Sequence, residues 1–304
     1  MAEDSYDLVI TGAGLAGLTA AMIGARHGLK TALVDPGTVG GQVLNVEKIE
    51  NFPGFPQGIA GFDLGPLVQE QAEHAGCAFV MDTATGLEIN GDQRIIHCDG
   101  THLSARSVII AAGSALRSLG VPGEEEFLGR GVSHCASCDA PFYGGKEVCV
   151  VGGGDSALDE AAVLAEHVAR VLVIHRGANF SAQHAAVERL RGYANVEARF
   201  GTELVEIHGS DTVSSVTLRS DGSTRKQALL GVFIFVGLEP NTRWLRGVLD
   251  LDAAGHIVTD IHLQTSLPGV FAAGDIRQAS VAQLAAVAGD GATAAVNAFR
   301  YVRG

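Results

Sequence analysis

The stretch that decides the fold is Tyr6-Asp-Leu-Val-Ile-Thr-Gly12-Ala-Gly14-Leu-Ala-Gly17, a short apolar run that leads into a Gly-x-Gly-x-x-Gly turn. An Ala- and Leu-rich segment follows, and a second apolar run, Thr31–Val34, ends at Asp35. This order predicts strand, turn, helix and strand, the βαβ unit that binds dinucleotides. The first glycine permits the turn, the second lets the backbone approach a pyrophosphate, and the third lets helix and strand pack closely.

The same unit recurs further along the chain. Its turn is Lys146-Glu-Val-Cys-Val-Val-Gly152-Gly-Gly154-Asp-Ser-Ala157, and its second apolar run, Val171–Ile174, ends at His175. The spacing from Gly12 to Asp35 equals that from Gly152 to His175. Two matched units indicate two bound dinucleotides, each with its phosphates at a helix N-terminus. The sequence therefore predicts an α/β chain with two Rossmann-like, three-layer dinucleotide-binding domains.

The residues at the ends of the second strands differ in charge between the two units. Asp35 can accept hydrogen bonds from ribose hydroxyls, which suits a ribose without a 2′-phosphate, as in FAD or NAD. His175 and Arg176 replace the acid with positive charge, which suits a 2′-phosphate. The alternative is that Arg176 is only a solvated charge at the end of a strand.

A Cys-x-x-Cys motif, Cys135-Ala-Ser-Cys138-Asp139, lies between the two turns. The other three cysteines stand apart at positions 77, 98 and 149, so a second ligand pair for zinc is missing and we expect no metal site. The spacing predicts a redox-active disulfide ring with a thiol of lowered pKa. Asp139 can then carry a proton to or from a thiolate, and a protonated His134 can favour the thiolate of Cys135. His134 can equally be an ordinary loop histidine.

Composition excludes several classes of protein. The 304 residues carry 21 Lys and Arg against 34 Asp and Glu, a net charge of −13, which argues against nucleic acid or an anionic membrane as partner. Hydrophobic residues make up 47%, too many for a disordered chain, yet no apolar run approaches the roughly 20 residues of a membrane-spanning helix. The N-terminal residues lack the basic and apolar regions of a signal peptide, so we expect a cytoplasmic protein.

Together these motifs resemble those of the low-molecular-weight thioredoxin reductases, which are FAD-dependent pyridine nucleotide-disulfide oxidoreductases. The resemblance runs along nearly the whole chain. Besides the two glycine turns and the cysteine motif, it rests on Gly40-Gly41-Gln42, Glu50-Asn51-Phe52-Pro53-Gly54-Phe55, Ile109-Ile110-Ala111-Ala112-Gly113, Gly129-Arg130-Gly131-Val132-Ser133 and Val270-Phe271-Ala272-Ala273-Gly274-Asp275.

The resemblance implies an FAD-binding domain in two segments, residues 1–115 and 246–304. An NAD(P)H-binding domain with the cysteine motif, residues 116–245, would be inserted between them. It also implies a homodimer, FAD and NADPH as cofactors, and thioredoxin or a thioredoxin-like protein as partner. The implied flavin contacts are Gly12, Gly14, Gly17, Asp35, Gly41, Gln42, Asn51, Ala112, Gly113, Gly274, Asp275 and Gln283. The implied nicotinamide-nucleotide contacts are Gly152, Gly154, Asp155, Ser156, Ala157, His175 and Arg176.

The resemblance also implies roles for the cysteine motif. Cys138 would be the thiol nearest the flavin, Cys135 the thiol that attacks the partner disulfide, and Asp139 the acid. Family members alternate between a state with the cysteines at the flavin and one with the nicotinamide there.

The chain departs from the family pattern at three places. The phosphate-reading pattern His-Arg-Arg, with another Arg four residues on, here reads His175-Arg176-Gly177-Ala178-Asn179-Phe180-Ser181, without two of the three arginines. The Arg-Gln or Lys-Gln pair near the flavin reads Ala282-Gln283, and Pro141 precedes Phe142 in the loop that would receive thioredoxin. Because His175 and Arg176 remain, we expect NADPH; NADH, or weak use of either coenzyme, is the alternative, and another disulfide is the alternative partner.

Two other functions fit the same sequence. A flavin-dependent dithiol oxidase would use the same scaffold, with electrons running from a small dithiol to flavin and oxygen. The loss of two arginines from the phosphate-reading pattern favours this oxidase, whereas Asp139 and the intact second glycine turn argue against it. A flavin-bound redox sensor without rapid turnover would need a regulatory segment, and the sequence offers none.

Overall fold

A computed structural model describes residues 5–37 and 39–304. Within these residues the α-helices are α1 (Leu15–Arg26), α2 (Gly61–His74), α3 (Ala136–Asp139), α4 (Asp155–Ala165), α5 (His184–Arg191) and α6 (Leu284–Arg303). The strands are β1 (Ser5–Thr11), β2 (Thr31–Asp35), β3 (Ala78–Met81), β4 (Ala84–Asn90), β5 (Gln93–Cys98), β6 (His102–Ile110), β7 (Ser114–Leu116), β8 (Val132–Ser133), β9 (Glu147–Val151), β10 (Arg170–Ile174), β11 (Val196–Arg199), β12 (Thr202–Gly209), β13 (Val213–Ser220), β14 (Ser223–Ala228), β15 (Gly231–Ile234), β16 (Leu238–Pro240) and β17 (Val270–Ala272). Short 3-10 helices span Gly41–Asn45, Ala140–Tyr143 and Arg243–Leu245.

The chain divides into two compact units. The first consists of Met1–Ala115 and Glu239–Gly304, and the second of Leu116–Leu238. The chain thus returns to the first unit at residue 239. Asn241 joins the two segments of this unit, because its backbone N–H donates to the Gly113 carbonyl at 3.0 Å and its side-chain amide donates to the Ala112 carbonyl at 2.8 Å.

The first unit is built on one large sheet with the strand order β3-β2-β1-β6-β5-β4, and β17 also pairs with β6. Strands β1, β2, β3, β6 and β17 run parallel, whereas β4 and β5 are antiparallel. Side chains alternate between the two faces as the period of a strand requires. Leu8 and Ile10 pack with α1 and α6, whereas Val9 lies in the apolar cluster on the opposite face.

The second unit has three layers. Its central sheet has the strand order β11-β10-β9-β15-β8, and all of these strands are parallel. Val148, Val150 and Phe233 pack against α4 on one face. Cys149 and Val151 lie in the cluster on the other face, which the antiparallel sheet β12-β13-β14 covers. The predicted α/β class with parallel, Rossmann-like sheets is confirmed.

A membrane span is not found in the part of the chain that the structure describes. No helix there combines the length and the apolar character needed to cross a bilayer.

Candidate dinucleotide and disulfide sites

The first glycine turn leaves space for a ligand at one position and is tightly packed at two. Gly12 has φ +97°, and a Cβ there would lie 2.4 Å from the Ala111 carbonyl oxygen. A Cβ at Gly17 would lie 1.9 Å from the Gly12 carbonyl oxygen, so helix and strand require a glycine. Nothing lies within 4 Å of a Cβ at Gly14, which is also the N-cap of α1. This open cradle at a helix N-terminus fits a pyrophosphate.

Asp35, the last residue of β2, holds the same turn. Its Oδ2 accepts the Ala13 N–H at 2.8 Å, and its Oδ1 accepts the Gly37 N–H at 2.8 Å. An acid at the end of the second strand of such a unit is the residue type that accepts ribose hydroxyls. Gly41 lies against this turn, since a Cβ there would lie 3.3 Å from the Gly14 Cα.

Other predicted flavin residues meet at the carboxyl end of the sheet, where ligands of open α/β sheets bind. The Gln42 side-chain amide donates to the Ser114 carbonyl at 2.8 Å, and the Ser114 hydroxyl donates to the Asp275 carbonyl at 3.1 Å. The Asn51 amide donates to the Gln283 side-chain oxygen at 3.3 Å. The structure therefore joins Gln42 to Asp275 through Ser114 and, separately, pairs Asn51 with Gln283.

Sequence reasoning missed the residues that hold the Gly274-Asp275 turn. The Asp290 carboxylate accepts the Gly274 N–H at 3.1 Å and pairs with the Arg277 Nε at 2.6 Å. The Ser280 hydroxyl donates to the Asp275 carboxylate at 2.8 Å. The signal that could have found Asp290 is its position as the single acid in the Ala- and Gly-rich helix α6.

The second glycine turn repeats the division of roles in the first. Gly152 has φ +151°, and a Cβ there would lie 2.3 Å from the Phe235 carbonyl oxygen and 2.8 Å from the Ala157 Cβ. At Gly154, the N-cap of α4, a Cβ would meet only the Ser181 hydroxyl at 3.8 Å. The turn therefore fits a second pyrophosphate at the N-terminus of α4.

Two polar residues follow this turn at the start of α4, both of them predicted nucleotide contacts. The Asp155 carboxylate accepts the Gln183 backbone N–H at 2.7 Å and its side-chain amide at 2.9 Å. Ser156 is exposed beside it. Asp155 thus fastens the loop after β10 to the glycine turn.

His175 is packed against this turn. A Cβ at Gly153 would lie 2.3 Å from its Nδ1, and a Cβ at Gly177 would lie 2.6 Å from its Nε2. The rings of Phe180 and Phe200 flank it, with centroids 6.1 and 6.4 Å away. A side chain at position 177 would therefore require this imidazole to move from the place it has here.

Arg176 is exposed at the end of β10, and the ion pairs among the described residues do not include it. The nearby Arg199, at the end of β11, instead pairs with Glu197 at 2.6 Å. Arg176 therefore presents an exposed positive charge at the end of β10, where a ligand can reach it.

Cys135 and Cys138 form the disulfide that the spacing predicts, with their Cα atoms 5.4 Å apart. Cys135 is the N-cap of α3, and its Sγ accepts the Cys138 N–H at 3.2 Å. The Ser133 hydroxyl accepts the Cys135 N–H at 3.1 Å. Cys138 is exposed, whereas Cys135 is half-buried.

Two titratable neighbours flank the disulfide. The His134 Nδ1–H donates to the Ile234 carbonyl at 3.0 Å, which fixes the orientation of its ring. Asp139 is half-buried at the end of α3. Burial raises the pKa of Tyr143, and the Asp139 carboxylate adds to the rise, so Asp139 places negative charge on this side of the turn.

The remaining three cysteines are free thiols with poor nucleophilicity. Burial raises the pKa of Cys77 to about 12 and the pKa of Cys149 further. The pKa of Cys98 rises to about 11 through burial and then the carboxylates of Asp82 and Asp99. Among the described residues, no group of three or more His, Cys, Asp or Glu side chains could hold a metal ion.

Comparison with known proteins gives one consistent answer. Residues 6–292 match the family model of the pyridine nucleotide-disulphide oxidoreductases. The thioredoxin reductase of Treponema pallidum (strain Nichols) is 40% identical over 302 residues, which cover 99% of this chain and 98% of that protein. The crystal structure of Lactococcus lactis thioredoxin reductase superposes with a TM-score of 0.96 at 38% identity, over 98% of this chain and 99% of that one. The thioredoxin reductase of T. acidophilum gives 0.93 at 33% identity, over the same shares of both chains.

Proposed function

The chain belongs to the thioredoxin reductases of the pyridine nucleotide-disulphide oxidoreductase family, and on that premise we propose that it passes electrons from NADPH through FAD and the Cys135–Cys138 disulfide to thioredoxin or a thioredoxin-like protein. The observation that carries this assignment is the disulfide itself, formed at the start of α3 in a chain with two open glycine turns. The enzyme is thus an FAD-dependent thioredoxin-disulfide reductase.

We assign FAD to the first unit. The open space over Gly14 supports a pyrophosphate at α1, and the Asp35 carboxylate at the end of β2, beside the same turn, supports a ribose. Gln42, Asn51 and Gln283 would surround the flavin end. FAD, when bound, accepts a hydride from the nicotinamide nucleotide and delivers two electrons to a disulfide.

We assign NADPH to the second unit, residues 116–238. Gly154 leaves the space for its pyrophosphate at the N-terminus of α4, and Ala157 keeps α4 close to the turn. Arg176 would bind the 2′-phosphate, because its charge is exposed at the end of β10. Asp155 would act indirectly, by holding the loop after β10 against the turn.

The reduced cysteines would transfer their electrons by thiol–disulfide exchange. The Cys135 thiolate attacks one sulfur of the partner disulfide, a mixed disulfide forms, and the other partner sulfur leaves as a thiolate. The Cys138 thiolate then attacks the Cys135 sulfur, which re-forms the Cys135–Cys138 disulfide and releases the partner as a dithiol. Asp139 would supply the proton that a leaving thiolate takes up.

Replacement of each cysteine tests the assignment. Cys135→Ser and Cys138→Ser should each lower NADPH-dependent thioredoxin reduction by at least about 10³-fold, because no covalent relay remains. Both variants should keep bound flavin, and Cys98→Ser should leave turnover unchanged as the matched control. Turnover retained by either active-site variant would refute the assignment.

A dithiol oxidase is the second candidate, since Arg176 stands without the two further arginines of the family pattern. Anaerobic addition of NADPH or NADH separates the two functions. A reductase bleaches its flavin with the nicotinamide nucleotide, whereas an oxidase bleaches it only with the dithiol substrate.

We further propose that the enzyme is a cytoplasmic homodimer, as the family resemblance implies. The three free thiols beside a single disulfide support a reducing compartment. Light scattering of the purified flavoprotein tests the dimer, for which we expect about twice the chain mass of 31.4 kDa.

A further inference from the structure

A carboxylate of α4 reaches the turn that carries the redox disulfide. The Glu160 Oε2 accepts the backbone N–H of Ala136 at 2.5 Å. Ala136 directly follows Cys135 and is 0% exposed, so water cannot replace Glu160 as the partner of this N–H. Helix α3 has only four residues, and its position therefore depends on contacts such as this one.

The N–H groups of the turn have different kinds of acceptor. The Cys135 N–H donates to the Ser133 hydroxyl, and the Cys138 N–H donates to the Cys135 sulfur. The acceptor of Ala136 is the charged one, and it lies one residue from the sulfur that becomes a thiolate in the reduced enzyme. The titratable groups beside the turn also include His134, whose Nδ1–H is held by the Ile234 carbonyl, and Asp139 with Tyr143 at the end of α3. The Nζ of Lys146 lies 5.4 Å from the centroid of the Tyr143 ring.

We propose that Glu160 is a positioning residue for the redox disulfide, which fixes the first turn of α3 and, through its negative charge, lowers the reduction potential of Cys135–Cys138. The proposal rests on the proposed role of this disulfide in electron transfer. A nearby negative charge disfavours the thiolate of Cys135 and hence the reduced state. The reduction itself is unchanged: two electrons and two protons convert the disulfide into two thiols, or one proton when Cys135 remains a thiolate.

Glu160→Gln isolates the charge from the hydrogen bond. The glutamine oxygen can still accept the Ala136 N–H, whereas the negative charge is gone. We expect the thiol–disulfide equilibrium to shift about tenfold toward the reduced form at pH 8.5, about 30 mV in potential. At pH 5.5 both proteins carry neutral dithiols, so their potentials should converge.

The measurement uses the full-length flavoprotein without NADPH. It is equilibrated in glutathione buffers of graded ratio, and the fraction of alkylated Cys135–Cys138 peptide is read by mass spectrometry. Glu166→Gln, at the C-cap of α4, removes an equal charge and should leave the potential unchanged. The Glu166 carboxylate accepts the Tyr193 hydroxyl. Glu160→Ala loses charge and acceptor together and should also lower the melting temperature, because the buried Ala136 N–H loses its partner.

Two outcomes would overturn the proposal. One is a Glu160→Gln potential equal to that of the parent enzyme at pH 8.5, which would leave Glu160 a merely structural role. The other is an equal shift at both pH values, which no ionisation of Cys135 explains. Because the equilibrium needs neither NADPH nor thioredoxin, its failure is distinguishable from a failure of the proposed function, which the cysteine variants test.

Discussion

On the proposed assignment, Arg176 alone would bind the phosphate that three arginines share in the family pattern. A hydrogen bond to a charged group contributes about 1.5–3 kcal/mol, which corresponds to about 10- to 100-fold in affinity. Arg176→Ala should therefore lower kcat/KM for NADPH by about 10- to 100-fold and leave kcat/KM for NADH nearly unchanged. Steady-state kinetics with both coenzymes measures this, and the ratio of the two values is the readout.

The control for Arg176 lies in the same unit. Arg191, which is exposed and pairs with Glu188, can be changed to alanine to remove an equal charge from the last residue of α5. An equal loss with NADPH in both variants would show that the effect comes from overall charge. An unchanged coenzyme ratio in Arg176→Ala would mean that Arg176 does not bind the 2′-phosphate.

Cys98 provides a test of pH dependence. Its pKa of about 11 means that only about 10⁻⁴ of the thiol is ionised at pH 7. In a protein with Cys135→Ser and Cys138→Ser, alkylation of Cys98 by iodoacetamide should rise about tenfold for each pH unit between 7 and 10. Peptide mass spectrometry follows the rate. A plateau near pH 9 would indicate an ordinary thiol and contradict the raised pKa.

Some residues of the sites were predictable because the neighbouring sequence motif alone requires that residue type. A glycine at position 12 is required by a positive φ and by the Ala111 carbonyl, and the spacing of the motif already encodes both. His175 was predictable as a strand-end residue, but its packing between Gly153 and Gly177 was not, because it depends on the choice of rotamer. The Glu160 contact with Ala136 joins residues 24 positions apart, and no spacing rule links them.

At the scale of elements, two glycines of α6 lie in different surroundings. One lies where α6 packs closely on α1, whereas the other has open space and tests intrinsic helix propensity. A Cβ at Gly291 would lie 2.2 Å from the Ala16 carbonyl oxygen of α1, whereas nothing lies within 4 Å of a Cβ at Gly289. Gly291→Ala should destabilise the protein by about 1–3 kcal/mol through overpacking. Gly289→Ala should stabilise it by up to about 1 kcal/mol, since alanine favours the helix.

Thermal unfolding together with flavin content checks this pair. Gly291→Ala should also release flavin, because α6 carries Asp290, the acceptor of the Gly274 N–H. Gly289→Ala should keep its flavin and melt at a higher temperature. Shifts of the same sign in the two variants would contradict close packing of α6 on α1 as the cause.

The elements themselves were largely predictable where an apolar run and a glycine turn coincide, as in β1, α1, β9 and α4. In such a unit the apolar residues recur with the period of a strand or of a helix, and the glycines mark the turn between the two. The residue at which the chain returns to the first unit was less predictable from the sequence. Asn241 binds the carbonyls of Ala112 and Gly113, more than a hundred residues earlier, and this long-range contact has no local signal.

At the scale of the whole molecule, a net charge of −13 opposes the binding of two anionic dinucleotides. On the proposed assignment, binding would come from local groups, namely the backbone N–H groups at the two glycine turns and the charge of Arg176. In the second unit these groups all lie within residues 116–238, which also hold both of that unit's apolar clusters. One cluster packs α4 on the parallel sheet and the other packs the antiparallel sheet β12-β13-β14 beneath it.

Residues 116–238 should therefore fold as an isolated protein, with one cooperative thermal transition by circular dichroism. The fragment should form the Cys135–Cys138 disulfide and bind NADPH in calorimetry, but it should hold no flavin and reduce no thioredoxin. Arg176→Ala in the fragment should weaken NADPH by the same 10- to 100-fold expected in the full chain, because the phosphate site lies wholly within this unit. A folded fragment that fails to bind NADPH, beside a full-length enzyme that does bind it, would show that residues of the first unit complete the site.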